Sequence, residues 1–155
     1  MTRPLRRQDR RLNSDAAMAL LQRGEYGILS TVDDSKQPYG IPLNYALMQN
    51  RIFFHCANEG RKLENITASQ GVSFCVVGKT ELIPEAFATR YESVVVSGPA
   101  AVVEDAGLKR DALRALVTKY APDQTAAGEA YIDKLIDQTT VVGITITHIS
   151  GKARK

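Results

Sequence analysis

The chain has 155 residues, the size of one ordinary domain, and is 44% hydrophobic and 24% charged, which is the composition of a globular protein with a real core. No apolar run approaches the ~20 residues needed to span a bilayer, and the basic start lacks the apolar segment of a secretory signal, so the expectation is a cytoplasmic protein with no membrane partner. Twenty lysines and arginines against seventeen acids give a net charge of +3, and five arginines (Arg3, Arg6, Arg7, Arg10, Arg11) stand against Asp9 alone in the first eleven residues. The excess is therefore in the tail; the body is near-neutral and offers no nucleic-acid footprint. Residues 1–12 read as a basic arm, mobile or docked on a partner subunit, and 13–155 as a single domain.

After the arm, Asn13, Ser14 or Asp15 can cap a short helix with an apolar face of Ala17, Leu20 and Leu21, and Gly24 stands where a left-handed C-terminal residue is expected. YGILSTV and YGIPLNYAL read as two strands on either side of the turn-rich DDSKQP. Pro42 demotes the second to an edge or a bulge. Gln49-Asn50 turns the chain into RIFFHC, a third strand, so the reading here is a β-meander. A short helix over 62–69 and a fourth strand, VSFCVVG, follow. A polar connection over 78–90 leads to SVVVSGPAAVVE, a long strand with a bulge or kink at Gly98-Pro99. Helical spacing of Leu108, Leu113, Leu116 and Val117 predicts a helix over 107–120 ended by Pro122, with a second over 128–137. Val142, Ile144 and Ile146 alternate with Gly143, Thr145 and Thr147 in a final strand, and GKARK reads as a solvated tail unless a neighbouring subunit orders it.

The total is about six strands joined mostly by short antiparallel connections, with helices at the periphery. There is no GxGxxG and no βαβ rhythm, so a doubly wound nucleotide fold is disfavoured; a closed or nearly closed antiparallel barrel is the better architecture.

FFHCANEGRKLENI, residues 53–66, carries the strongest chemical signal. A strand ends at His55, a glycine-containing loop follows, and a helix opens with Arg61 and Lys62. Helix-start amides are orphan donors, Gly60 permits close approach of a ligand, and the two cations suit a phosphate. A solvated basic turn pairing with Glu59 and Glu64 is the ordinary alternative. Alternation places Phe53 and His55 on one face of the strand and Phe54 and Cys56 on the other, so His55 and Cys56 do not form a dyad or share a metal. His148 reads as a satisfied histidine at the barrel end. Cys56 and Cys75 are too far apart in sequence for a CxxC pair and read as buried free thiols. Two histidines and no HExxH leave no expectation of a metal.

GEYGILSTV, QPYGIPLNY, IFFHCANEGRKLENI, VSFCVVGKTELIP, YESVVVSG and ITHISGKARK, in this order, resemble the pyridoxamine 5′-phosphate oxidase-like flavoproteins, and within them the branch of the Nim-type 5-nitroimidazole resistance proteins. The resemblance implies a mainly β protein with peripheral helices, a six-stranded antiparallel split β-barrel that binds FMN and works as a homodimer with cofactor sites at the subunit interface. It implies that Gly60, Arg61, Lys62 and Leu63 form the phosphate corner, that Phe54, His55, Cys56 and Ala57 run along the flavin, and that Asn44 and Tyr45 approach the ring or its ribityl chain. Tyr91, Glu92, Ser93 and Lys152 would come from the second subunit. His55 matches the histidine near the flavin and is the catalytic candidate in an FMN-dependent oxidoreductase. The C-terminal substrate segment of the true pyridoxamine 5′-phosphate oxidases has no match here, which weighs against vitamin B6 oxidation. A flavin-binding or sensing protein without turnover, or a barrel holding deazaflavin or haem, is the alternative.

Overall fold

The computed structural model describes residues 5–155; Arg3 of the basic arm lies outside them. Eight strands form the sheet: β1 (Gly27–Val32), β2 (Pro38–Leu43), β3 (Ala46–Met48), β4 (Arg51–Ala57), β5 (Gly71–Ile83), β6 (Ala88–Val102), β7 (Thr139–Thr145) and β8 (His148–Arg154). Four α-helices accompany them: α1 (Ser14–Arg23), α2 (Arg61–Ala68), α3 (Ala106–Tyr120) and α4 (Thr125–Leu135). All recorded pairings are antiparallel, in the order β2-β1-β5-β6-β7-β4-β3, with β8 added on β6. The ends of this path, β2 and β3, do not pair, so the barrel is split rather than closed. The count is eight strands where the sequence pointed to six.

Where the expectation of a meander fails, the reason is Tyr45. β1–β2 and β3–β4 are hairpins, but β2 and β3 sit at opposite ends of the sheet. Between them the chain dives inward at Tyr45, which is fully buried. Its hydroxyl donates to the Leu21 carbonyl oxygen, and its ring packs edge-on against Phe74 at 5.0 Å. Pro42 does lie on an edge, in β2, which pairs only with β1. Gln49 and Asn50 make the β3–β4 turn with positive φ values of 52° and 57°, the signature of a tight hairpin with primed turn geometry.

The polar connection expected over 78–90 is instead the tip of one long hairpin. β5 runs on to Ile83, a single 3-10 turn spans Pro84–Ala86, and β6 starts at Ala88. A register shift between Val77 and Thr80 accounts for the break in the apolar pattern that mimicked a loop. GKARK is likewise no tail: β8 runs to Arg154, with Ser93 opposite Lys152 and Tyr91 opposite Arg154. Arg11 bridges to Lys152, and the Leu12 amide donates to the Gly151 carbonyl at 3.0 Å, laying the end of the N-terminal arm on β8.

α1 is capped as expected, with the Asn13 side chain accepting from the Ala16 amide at 2.8 Å. Gly24, however, has φ −58° and is not left-handed. Glycine fits there because a Cβ would overlap Val76 and the Tyr45 hydroxyl. α3 is capped by Asp105, which accepts from the Leu108 amide at 2.6 Å. Ion pairs of Arg110 with Asp133 (2.6 Å) and Arg114 with Glu129 (2.5 Å) link α3 to α4 on their solvent side.

Two apolar clusters result. Leu29, Ile52, Phe54, Phe74, Val76, Val94, Val96, Val142 and Ile144 fill the barrel, closed off by α1 and by Ile66 of α2. Phe53 and Val141, from the opposite faces of the same strands, pack with Leu113, Leu116 and Ile132 of the α3–α4 hairpin. β6 serves both halves of the sheet: up to Ser97 it pairs with β8, and from Ala100 with β7. The switch falls at Gly98-Pro99, where a Cβ on Gly98 would overlap the Thr145 carbonyl oxygen. Gly98→Ala should therefore lower stability by about 3 kcal/mol in urea unfolding, while Gly71→Ala, whose added Cβ meets no atom within 4 Å, should change it by less than about 0.5 kcal/mol.

Candidate functional site

β4 has both faces packed through its middle, and its exit is the centre of the candidate site. Ile52, Phe53 and Phe54 are wholly buried, so the outward-facing positions are available only at the end, where His55 and Ala57 are exposed and Cys56 is half-buried. The alternation read from the sequence holds. Cys56 packs against the barrel cluster, while His55 lines a groove under the α3–α4 hairpin.

The exit loop is fastened to the start of β7. The Asn58 carboxamide donates to the Asp137 carbonyl at 3.2 Å and accepts from the Thr140 hydroxyl at 2.8 Å. Gly60 follows with φ 125°, which strongly favours glycine, and a Cβ built there would meet nothing within 4 Å. Its carbonyl accepts from the Leu63 and Glu64 amides. Among the described residues no side chain caps α2, so its first amides have no side-chain acceptor. Lys62 and Leu63 are half-buried. Among the described residues Lys62 has no carboxylate within ion-pair distance, and its charge reaches the Cys56 thiol, partly offsetting the upward push of burial on that thiol. Arg61 turns the other way. Its guanidinium lies 4.6 Å from the Tyr39 ring centroid and 3.6 Å from Asp33, at the β1–β2 turn. α2 is held in place from within by Asn65, whose side chain donates to the buried Thr31 hydroxyl at 2.8 Å.

Of the residues predicted for the site, His55, Cys56, Ala57, Gly60, Lys62 and Leu63 lie at or just after the end of β4, with His55 on the groove face and Cys56, near Lys62, on the other. Two do not present a side chain. Phe54 and Tyr45 are wholly buried core residues, Phe54 because strand alternation turns it into the barrel and Tyr45 because it anchors the β2–β3 crossover. Asn44, next to Tyr45, is exposed and shares the groove with His55. Tyr91 and Glu92 line a separate cleft in this chain, with Arg23, Lys79, Arg90 and Arg154. Glu92 accepts from Arg23 at 2.7 Å and from the Lys79 amide at 3.3 Å, and these contacts hold its carboxyl below the usual range, the Arg23 hydrogen bond most of all. Ser93 and Lys152 face each other in register on β6 and β8.

Sequence reasoning missed the wall of the groove. Leu113, Leu116, Tyr120, Leu135 and Ile136 come from α3, α4 and the turn after α4. Their helical spacing announces an apolar stripe but not what it covers. Tyr120 also secures the crossover: its hydroxyl accepts from the Tyr45 amide (3.0 Å) and donates to the Glu25 carbonyl (2.6 Å). Beside it the Lys119 amine lies 3.6 Å from the Tyr45 ring centroid, and burial draws its pKa down to about 8.

A sequence profile described as pyridoxamine 5′-phosphate oxidase matches residues 13–153, nearly the whole chain. The chain belongs to the pyridoxamine 5′-phosphate oxidase family. Solved structures with the same fold include a proposed 5-nitroimidazole antibiotic resistance protein from Bacteroides thetaiotaomicron (21% identity, 92% of this chain and 85% of that one, TM-score 0.80). Others are a flavocytochrome from Azotobacter vinelandii (21% identity, 99% and 73%, TM-score 0.82) and an FAD-binding protein from Mesorhizobium loti (23% identity, 94% and 98%, TM-score 0.69). At these identities the likeness carries the fold alone. No curated protein matches the chain in sequence. Among the described residues no helix is long and apolar enough to cross a membrane, and no three His, Cys, Asp or Glu side chains gather as a metal site.

Desolvation in the groove lowers the His55 pKa from its ordinary 6.5, so the imidazole is neutral at pH 7 in this family member. The sign of the linkage follows. Below pH 6.5 the unfolded chain takes up a proton that the folded site resists, so His55 costs stability as the pH falls through 6.5 and costs nothing above it. NMR titration should place the imidazole below 6.5, and His55→Gln should be less sensitive than the wild type to acid over that window.

Proposed function

We propose that the chain is a flavoprotein oxidoreductase that binds FMN by its phosphate at the β4–α2 corner and works as a homodimer. The observation that carries this reading is the start of α2: uncapped amides, a positive-φ glycine with open space at its Cβ position, and Lys62 without an acidic partner among the described residues. A dianionic phosphate satisfies all three, since helix-start amides and an ammonium both favour negative charge. Arg61 can join by leaving Asp33, an exposed contact at 3.6 Å that holds it weakly. Family membership supports the same reading, as do the flavin-binding proteins among the structural neighbours.

When bound, the flavin supplies hydride or single-electron transfer. The protein's part is to bind the phosphate, exclude water and offer His55, neutral at pH 7, as a hydrogen-bonding or proton-holding group for a substrate.

The outer face of the β1-β5-β6-β8 layer supports the dimer. Ile28, Cys75 and Val95 lie side by side in register, and Ile28, Val95 and nearby Val77 are exposed apolar side chains. A second copy covering this face would remove them from water, and Tyr91, Glu92, Ser93 and Lys152 would then serve the partner's cofactor site.

FMN titrated into the purified protein should bind in the micromolar range or tighter, and the extracted chromophore should be FMN rather than FAD. Lys62→Ala should weaken binding by roughly 1.5–3 kcal/mol, about tenfold to a hundredfold; unchanged affinity would remove Lys62 from the phosphate site. Sedimentation should give the mass of two chains, and Val95→Arg should yield a monomer with weakened flavin binding. A flavin-loaded wild-type monomer would contradict the shared site.

A further inference from the structure

The groove above the outward face of β4 has a chemistry of its own. Its volume is about 260 Å³, just below the range of roughly 300–1,000 Å³ typical of pockets for drug-sized ligands. That is room for one or two rings and too little for a nucleotide. Among the described residues no Asp, Glu, Lys or Arg lines it. Two of its hydroxyls are already engaged: Tyr120 with the Tyr45 amide and the Glu25 carbonyl, and Thr139 with the Leu135 carbonyl at 2.9 Å. The His55 and Asn44 side chains and the Tyr131 hydroxyl remain; all three are exposed, border the groove and have no hydrogen-bond partner among the described residues. The rest of the lining is aliphatic or aromatic.

We propose that this groove binds an uncharged aromatic molecule of one or two rings, held by the apolar wall of α3 and α4 and hydrogen-bonded to His55 or Asn44. It deepens the flavoenzyme reading by naming its substrate class and rests on that reading for its purpose, though not for binding itself. Charge decides against the other small ligands. An ion buried without a partner loses several kcal/mol of hydration, and a neutral imidazole and a carboxamide do not replace it. A phosphorylated pyridine, to which the family owes its name, finds no cation in this lining: the Lys119 amine beside Tyr120 lies over the Tyr45 ring, and Lys62 is on the far side of the alternation that separates His55 from Cys56.

The test compares two molecules of equal shape, 4-nitrobenzamide and 4-nitrobenzoate, added to the purified protein with and without FMN and followed by methyl and imidazole NMR. The amide should shift the methyl signals of Leu113, Leu116 and Ile136 and the His55 ring, and the carboxylate should bind at least tenfold more weakly. Leu135→Trp fills the groove from its half-exposed rim and should cut amide binding at least tenfold while leaving FMN affinity unchanged; Ile136→Trp does the same from a neighbouring position should the first variant not fold. Equal affinity for the two probes, shifts confined to other parts of the molecule, or undiminished binding in the filled variants overturns the proposal. FMN affinity is read in the same samples, so a chain that takes the amide but not FMN keeps the groove and loses the flavin, and the reverse result does the opposite.

Discussion

The register of β4 is the constraint on which the rest depends. Three consecutive residues, Ile52, Phe53 and Phe54, are wholly buried on two different faces, the barrel interior on one and the α3–α4 hairpin on the other. A slip of one residue would exchange every side chain between those faces. Because neither cluster could accept the other's residues without voids or clashes, the strand is pinned, and its pinned end delivers His55 to one side and Cys56 and the Lys62 corner to the other. The separation of the α2 start, with Lys62, from the uncharged groove beside His55 is thus a consequence of packing some distance away.

Two further devices keep that strand in a split barrel. Gly98 lets β6 pass from β8 to β7 against the Thr145 carbonyl, joining the two halves of the sheet with a single chain segment. Tyr45 and Tyr120 fix the β2–β3 crossover, the first by burying its ring against Phe74 and the second by bridging the Tyr45 amide and the Glu25 carbonyl. Since Tyr120 also lines the groove, the helical hairpin that covers His55 is anchored to the same residues that keep the sheet open. Removing that hydroxyl would loosen the fold and the groove together.

Local patterns in the sequence were legible where one face of an element is buried and the other is wet. The cap of α1, the α3 stop at Pro122, the edge position of Pro42 and the alternation of Val142 and Ile144 all follow from short-range rules. The loop and helix start after β4 were legible for the same reason: Gly60, Arg61 and Lys62 are adjacent in sequence and open one helix. What depended on long-range pairing was not. A bulge near Gly78 made a strand look like a loop, and the pairing of GKARK with β6 cannot be read from GKARK. Nothing in the YGIPLNYAL segment says that its two halves belong to opposite ends of a sheet. Tyr45 and Phe54 were assigned to the cofactor by resemblance and are spent on the core, whereas the walls of the groove come from helices some sixty to eighty residues beyond His55.

The account turns on where a bound phosphate sits, because the molecule offers a competing basic site in the cleft of Arg23, Lys79 and Arg154. In that cleft Arg23 is already paired with Glu92, whereas the α2 start has uncapped amides and Lys62. A crystal structure of the protein grown with FMN decides between them. The phosphate should lie within hydrogen-bond distance of the Lys62 amine and the first α2 amides; a phosphate held instead by Arg23, Lys79 and Arg154 of the same chain would contradict the central claim.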